Sequence, residues 1–202
     1  MQTLLERSLD LARLVLRLGQ VRRVTRHPDG EPESDATHSV MLSMLAYGMA
    51  HEACYPVAPD RVALLAMVHD LAEAYVGDTP TTRGLDPDAR ERKERRERAA
   101  LAIVFEDLAG FPPLLELLRE YEAQETAESR FVRFVDKLLP KLTHILDDGC
   151  SLRAQGLGID DVRESHRAQG AELRATYPEL TGLAVAFDEF SQASEERLKS
   201  CL

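Results

Sequence analysis

The chain has 202 residues, 44% hydrophobic and 30% charged, with 25 Lys+Arg against 35 Asp+Glu and a formal net charge of −10. That length and apolar share are enough for one domain with a proper core, which excludes a disordered or fibrous chain. The acidic balance excludes a dedicated binder of nucleic-acid polymers, which needs a basic face to displace counterions.

The expected order of elements is helical throughout. Leu4, Leu5, Leu9, Leu11, Leu14, Val15 and Leu18 recur at three- and four-residue steps, one apolar stripe on a first helix that Gly19 stops. Charges run through this N-terminal stretch, which reads as an amphipathic helix and not a signal peptide. Residues 20–36 hold Pro28, Gly30 and Pro32 and read as an irregular, Arg-rich loop. A second helix is expected from about Asp35 to Cys54, with Ser34 or Asp35 as N-cap. A third, from about Asp60 to Tyr75, is apolar on nearly all sides and reads as the buried central helix, ended by Gly77. A loop with two prolines follows, then a helix whose first half is almost all charge, a solvated face with i,i+4 ion pairs. Further helices are expected at 112–123, 127–148, 159–176 and 179–199, with no convincing alternating strand. The fold class is all-α, a bundle of seven or eight helices in a single domain, 1–202.

No apolar run approaches the roughly 20 residues of a membrane span. Cys54, Cys150 and Cys201 form no metal-type pair and read as free thiols in a reducing cytoplasm.

Chemistry concentrates in HDLAEAYVGD, residues 69–78. Asp70 follows His69 inside an apolar helix, and a buried carboxylate demands a partner. A metal ion suits both. Glu73 lies three residues after Asp70 and four after His69, on the same helical face, and Asp78 follows the helix-ending Gly77. His38 sits in the first turn of the second helix. Asp136 is set among Phe131, Phe134, Val135, Leu138 and Leu139, where a salt bridge to Lys137, Lys141 or Arg133 is the plain alternative to metal binding. His144, more than two turns after Asp136, is too far along its helix to share an ion with it; His51 and His166 read as surface residues.

The order His38, His69–Asp70, Asp136 resembles the H…HD…D signature of the HD-domain metal-dependent phosphohydrolases. Arg23, HDLAE and GDTPT (Gly77 to Thr81) bring it closer to the YfbR-like 5′-deoxynucleotidase branch, over about residues 20–140, with helices 159–200 packing on that part. The resemblance implies one divalent ion (Mn, Co, Fe, Ni or Zn) held by His38, His69, Asp70 and Asp136, with no His between His69 and Asp136 to hold a second. It implies attack of metal-bound water on a nucleotide 5′-phosphate, since an ion can lower the pKa of bound water towards ~7. Glu73 and Asp78 take the acid–base roles. Arg23 clamps the phosphate, and Arg26 and Arg83 add cations. Branch members commonly have Glu before the first His, where this chain has Thr37, so that a supporting acceptor is either missing or supplied by Asp35 or Glu33; they also have Trp beside the phosphate-binding Arg, where it has Val24. The implied substrate is a (deoxy)ribonucleoside 5′-monophosphate. The alternatives are a dNTP triphosphohydrolase of the same fold and a non-catalytic nucleotide-binding HD domain. A homodimer or larger homo-oligomer is expected.

Overall fold

Apolar faces repeating at the helical period bury themselves against one another, and a bundle follows. A computed structural model describes residues 3–52, 55–78 and 87–200. The elements in order are α1 (Leu4–Leu18), β1 (Arg22–Arg26), β2 (Pro32–Ser34), α2 (Asp35–Glu52), α3 (Pro59–Val68), α4 (Glu73–Val76), α5 (Pro87–Asp107), a 3₁₀ turn (Leu108–Gly110), α6 (Pro112–Ala123), α7 (Ala127–Leu146), α8 (Cys150–Ala154), α9 (Ile159–Thr176) and α10 (Thr181–Ser200). The all-α class holds. The helical segments exceed the expected seven or eight because two short pieces, α4 and α8, stand apart from their neighbours.

The axis of the bundle is α7. Its Phe131, Val132, Phe134, Val135 and Leu138 are fully buried, and it packs against α2, α3, α6 and α10. Burying a Phe or Leu side chain stabilises by about 1.5–3 kcal/mol, so this stripe anchors every helix that touches it. Pro140 lies inside α7. Lacking an N–H, it leaves the backbone carbonyl of Asp136 without its usual i+4 donor. At the N-terminus, Thr3 and Glu6 form a reciprocal capping box that starts α1. The apolar stripe of α1 is only half used: Leu14 and Leu18 are buried, while Leu4, Leu5 and Leu9 are exposed.

Three expectations are corrected. Residues 20–36 are not irregular, for β1 and β2 pair antiparallel. The turn is Pro28-Asp29-Gly30, closed by Gly30 N–H donating to the His27 carbonyl at 2.9 Å, with Gly30 at φ 88°. The third helix does not run to Tyr75. α3 stops at Val68, and residues 69–72 turn through i→i+3 hydrogen bonds, such as Glu73 N–H to the Asp70 carbonyl at 2.9 Å, before α4. His166 is also buried rather than on the surface. Most of the loop expected after Gly77 lies outside the described residues.

Gly149 joins α7 to α8 at φ 73°, and a Cβ there would meet the Leu198 backbone of α10 at 3.2 Å. Gly149→Ala is therefore expected to cost about 1–3 kcal/mol, since neither the left-handed conformation nor the space suits a side chain; chemical denaturation checks it. His144 supplies a pH test. Burial, with Lys141 and His166 adding to it, drives its imidazole down to about 3. The unfolded chain takes up this proton below about pH 6.5 and the folded one does not, so the stability present above pH 6.5 is lost as pH falls towards 3. His144→Leu should lose less melting temperature between pH 7 and pH 5 than the parent chain.

Candidate metal centre

Three helices meet at the centre. At the start of α2, the Ser34 hydroxyl accepts from Thr37 N–H at 3.1 Å and lies 2.9 Å from the Thr37 hydroxyl, which makes Ser34 the N-cap. This cap places His38, 1% exposed, in the first helical turn. Thr37 thus serves the cap. The acceptor for the His38 ring comes instead from β2: Glu33 Oε1 lies 3.5 Å from Nδ1, and the other Glu33 oxygen accepts from the Thr25 hydroxyl of β1. The hairpin therefore orients the imidazole from behind.

His69 and Asp70 occupy the tight turn after α3. His69 Nδ1 donates to the Ala66 carbonyl at 2.8 Å, leaving Nε2 as the free nitrogen. Nε2 stands 2.8 Å from Asp70 Oδ2 and 3.7 Å from Asp136 Oδ1 without an aligned hydrogen bond to either. Asp136, on α7, places Oδ1 3.0 Å from His38 Nε2, and Lys137 donates to its Oδ2 at 2.6 Å. Asp136 has the lysine partner of the plainer sequence reading and also faces both histidines. Ligand atoms of His38, His69 and Asp136 lie within 4.8 Å of one another; Asp70 falls in a second such group with Asp35 and Glu73.

Arg23 of β1 sits against the second group. Its guanidinium lies 2.9 Å from Asp35, 3.1 Å from Asp70 and 3.7 Å from Glu73. Asp35, fully buried at the start of α2, was open in the sequence as a cap or as an acceptor supporting His38; its contact with Arg23 carries no local signal. The i→i+3 turn brings Asp70 and Glu73 to one side. Together with Asp78, Arg133 and Lys137 these groups line a cavity of about 240 Å³.

The charges report the crowding. Burial disfavours the charged His69 ring, but Asp70 and Asp136 outweigh it and raise its pKa to about 9. His38 rises for the same reason, with Asp136 and Glu33 overcoming burial. Burial works against Asp136, yet Lys137 and the two histidines hold it well below the carboxylate range. Glu73 goes the other way: burial, then Asp70 and Asp35, push it up to about 11. Burial also raises Asp78.

Arg26 is not brought to the site. Its guanidinium donates to the Gly30 carbonyl at 2.7 Å, within the hairpin turn, and lines neither this cavity nor its neighbour. Arg83 lies outside the described residues.

The donors fit a divalent cation. Among the described residues His69 Nε2 is a buried nitrogen with no hydrogen-bond partner, and both imidazoles face a carboxylate across a gap that a proton or a cation can fill.

Comparison with known proteins agrees with this geometry. The family model "HD domain" matches residues 15–178. The 5′-deoxynucleotidase HDDC2 of Bos taurus is 36% identical over 138 residues, which covers 64% of this chain and 62% of that protein. The 5′-deoxynucleotidase PM0747 of Pasteurella multocida is 32% identical over 127 residues, covering 58% of this chain and 62% of that one. The chain thus spans less than two thirds of the length of these relatives. A crystal structure from Magnetospirillum magnetotacticum, a "Predicted metal-dependent phosphohydrolase", superposes with a TM-score of 0.68 at 25% identity, covering 96% of both chains. With a match over most of its length and His38, His69 and Asp136 drawn together at the heart of the bundle, the chain belongs to the HD domain family.

Proposed function

We propose that this protein is a metal-dependent phosphohydrolase that removes the 5′-phosphate from nucleoside 5′-monophosphates, deoxyribonucleotides among them. One observation carries the reading: His69, Asp70 and Asp136 open into the same cavity as Arg23, Glu73 and Asp78, with His38 packed behind them against Asp136. The naming of its relatives as 5′-deoxynucleotidases supports the substrate class, and the triphosphohydrolase and non-catalytic readings gain no such support.

His38, His69, Asp70 and Asp136 would hold one divalent ion, which when bound supplies Lewis-acid polarisation and a water acidic enough to react at neutral pH. Arg23 turns one face to Asp35 and Asp70 and has further N–H donors for phosphate oxygens. Asp35 fixes that orientation. Glu73 stands beside Arg23 and carries the proton to the leaving O5′ as the P–O5′ bond breaks and a water oxygen bonds to phosphorus. Asp78, across the same cavity, is its companion in proton transfer. The reading extends to a single domain and a homo-oligomer in a reducing cytoplasm. Val40 and Met44 of α2 and Leu64 and Met67 of α3 offer exposed apolar side chains to a second copy, and Cys150 is a free thiol.

Metal analysis with a phosphate-release screen over dNMPs, NMPs and dNTPs tests the reading. Orthophosphate from monophosphates is expected; tripolyphosphate from dNTPs, or no release, overturns it. Chelation should lower the melting temperature, because an ion at a hundred times its Kd stabilises by about 2.7 kcal/mol. The His38→Ala variant should show no such response. Glu73→Gln should retain its metal and lose about 10²–10⁴-fold in kcat; a near-normal rate would remove Glu73 from proton transfer.

A further inference from the structure

A second cavity, of about 120 Å³, shares Arg23, Asp136 and Lys137 with the first and runs on to Lys141, His144, His166 and Gln169. Its composition is unusual in a chain of net charge −10. Asp136 is the one carboxylate among its described lining residues, and that group already faces His38 and Lys137.

Lys141 is the anomaly. It is 5% exposed, and no carboxylate among the described residues lies within ion-pair distance of its amine. The amine donates to the Gln169 side-chain carbonyl of α9 and sits 4.6 Å from the ring centroid of Phe187 on α10. A buried ammonium without a counter-charge is costly, and a neutral amide and a ring face replace little of what water supplied. Burial, with Lys137 adding to it and Asp136 opposing, brings its pKa down to about 7. On the same wall, His144 Nδ1 is buried with no hydrogen-bond partner among the described residues. His166 is held by Glu195, 3.0 Å from its Nδ1. Lys141 and His144 have no anion against them among the described residues. Asp136 and Lys141 are five residues apart on α7, roughly 7.5 Å along the axis at 1.5 Å per residue. An anion beside Lys141 therefore sits about one sugar away from a phosphate at the metal centre.

We propose that this chamber is a second phosphate-binding subsite with Lys141 as its cation. The phosphate is either a second phosphoryl group on a nucleotide whose 5′-phosphate lies at the metal centre or free orthophosphate. In its first form the proposal rests on the nucleotidase reading.

The test is titration calorimetry on the metal-loaded protein carrying Glu73→Gln, which stops turnover during the titration, with deoxyadenosine 3′,5′-bisphosphate, dAMP and orthophosphate, for the parent Lys141 and for Lys141→Met; dAMP turnover is measured with Glu73 in place. The bisphosphate should bind about tenfold or more tightly than dAMP, as one added charge-assisted contact gives. Lys141→Met should erase that advantage and leave dAMP turnover within about twofold. Two orthophosphates per parent chain and one in Lys141→Met, with no bisphosphate advantage, would equally support the subsite and assign it to the free anion. Equal binding of bisphosphate and dAMP together with an orthophosphate stoichiometry that Lys141→Met does not change overturns it. Lys141→Gln, with its melting curve, stands in if the Met variant does not fold. A bisphosphate advantage that depends on Lys141 in a protein that releases no phosphate from dAMP would keep the subsite and refute the nucleotidase reading.

Discussion

Asp136 is a carboxylate placed on the most apolar face of the bundle, and the architecture of the site follows from satisfying it. A buried ion without partners is among the most destabilising features a core can contain. Here Lys137 occupies one oxygen and the two histidines crowd the other. To bring those histidines there, α2 must begin close to α7 and α3 must end against it. The Ser34 cap and the break after Val68 achieve those two things. The same constraint leaves His69 Nε2 buried and unmatched, and that mismatch is the physical basis for a cation site.

Around this centre the acidic groups are separated by a single arginine. Arg23 touches Asp35, Asp70 and Glu73, so one guanidinium keeps three carboxylates from repelling one another. Asp70 stays ionised beside His69, while Glu73, buried, further from a cation and next to Asp70 and Asp35, is driven towards its protonated form. Neighbouring carboxylates with opposite tendencies are the arrangement that lets one hold an ion and the other move a proton. The hairpin earns its place in the fold through this role: β1 carries Arg23, and β2 carries Glu33, which backs His38.

Much of this was legible in the sequence, and the misses have physical causes. The helical period and the caps located the long helices, because their apolar faces are continuous. The i,i+3 spacing of Asp70 and Glu73 correctly placed them on one side, although the turn that does it is tighter than an α-helix. The hairpin was missed because its strands are short and one begins with Pro32. Its signal was the Pro-Asp-Gly turn, which has a defined chemistry that a count of helix breakers overlooks. Asp35 or Glu33 could be named from the sequence as the acceptor supporting His38, and Glu33 holds that place; the contact of Asp35 with Arg23 and the setting of Lys141 were not legible. Their partners lie on other elements, and no local spacing records a contact between β1 and α2 or between α7 and α9.

Lys141 shows where sequence pattern and site chemistry part company. On α7 it falls on the buried side, where the period calls for an apolar residue, and its amine ends against Gln169 and Phe187 with no carboxylate in reach among the described residues. A methionine at that position would fill the same space without the desolvation cost. The lysine is therefore explained by something that structural packing alone does not require. Its cavity adjoins the metal centre through Asp136 and Lys137, so the missing counter-charge and the centre share a wall. A ligand with two anionic groups spaced about one sugar apart answers both needs with one molecule: the divalent ion and Arg23 receive one group, and Lys141 receives the other.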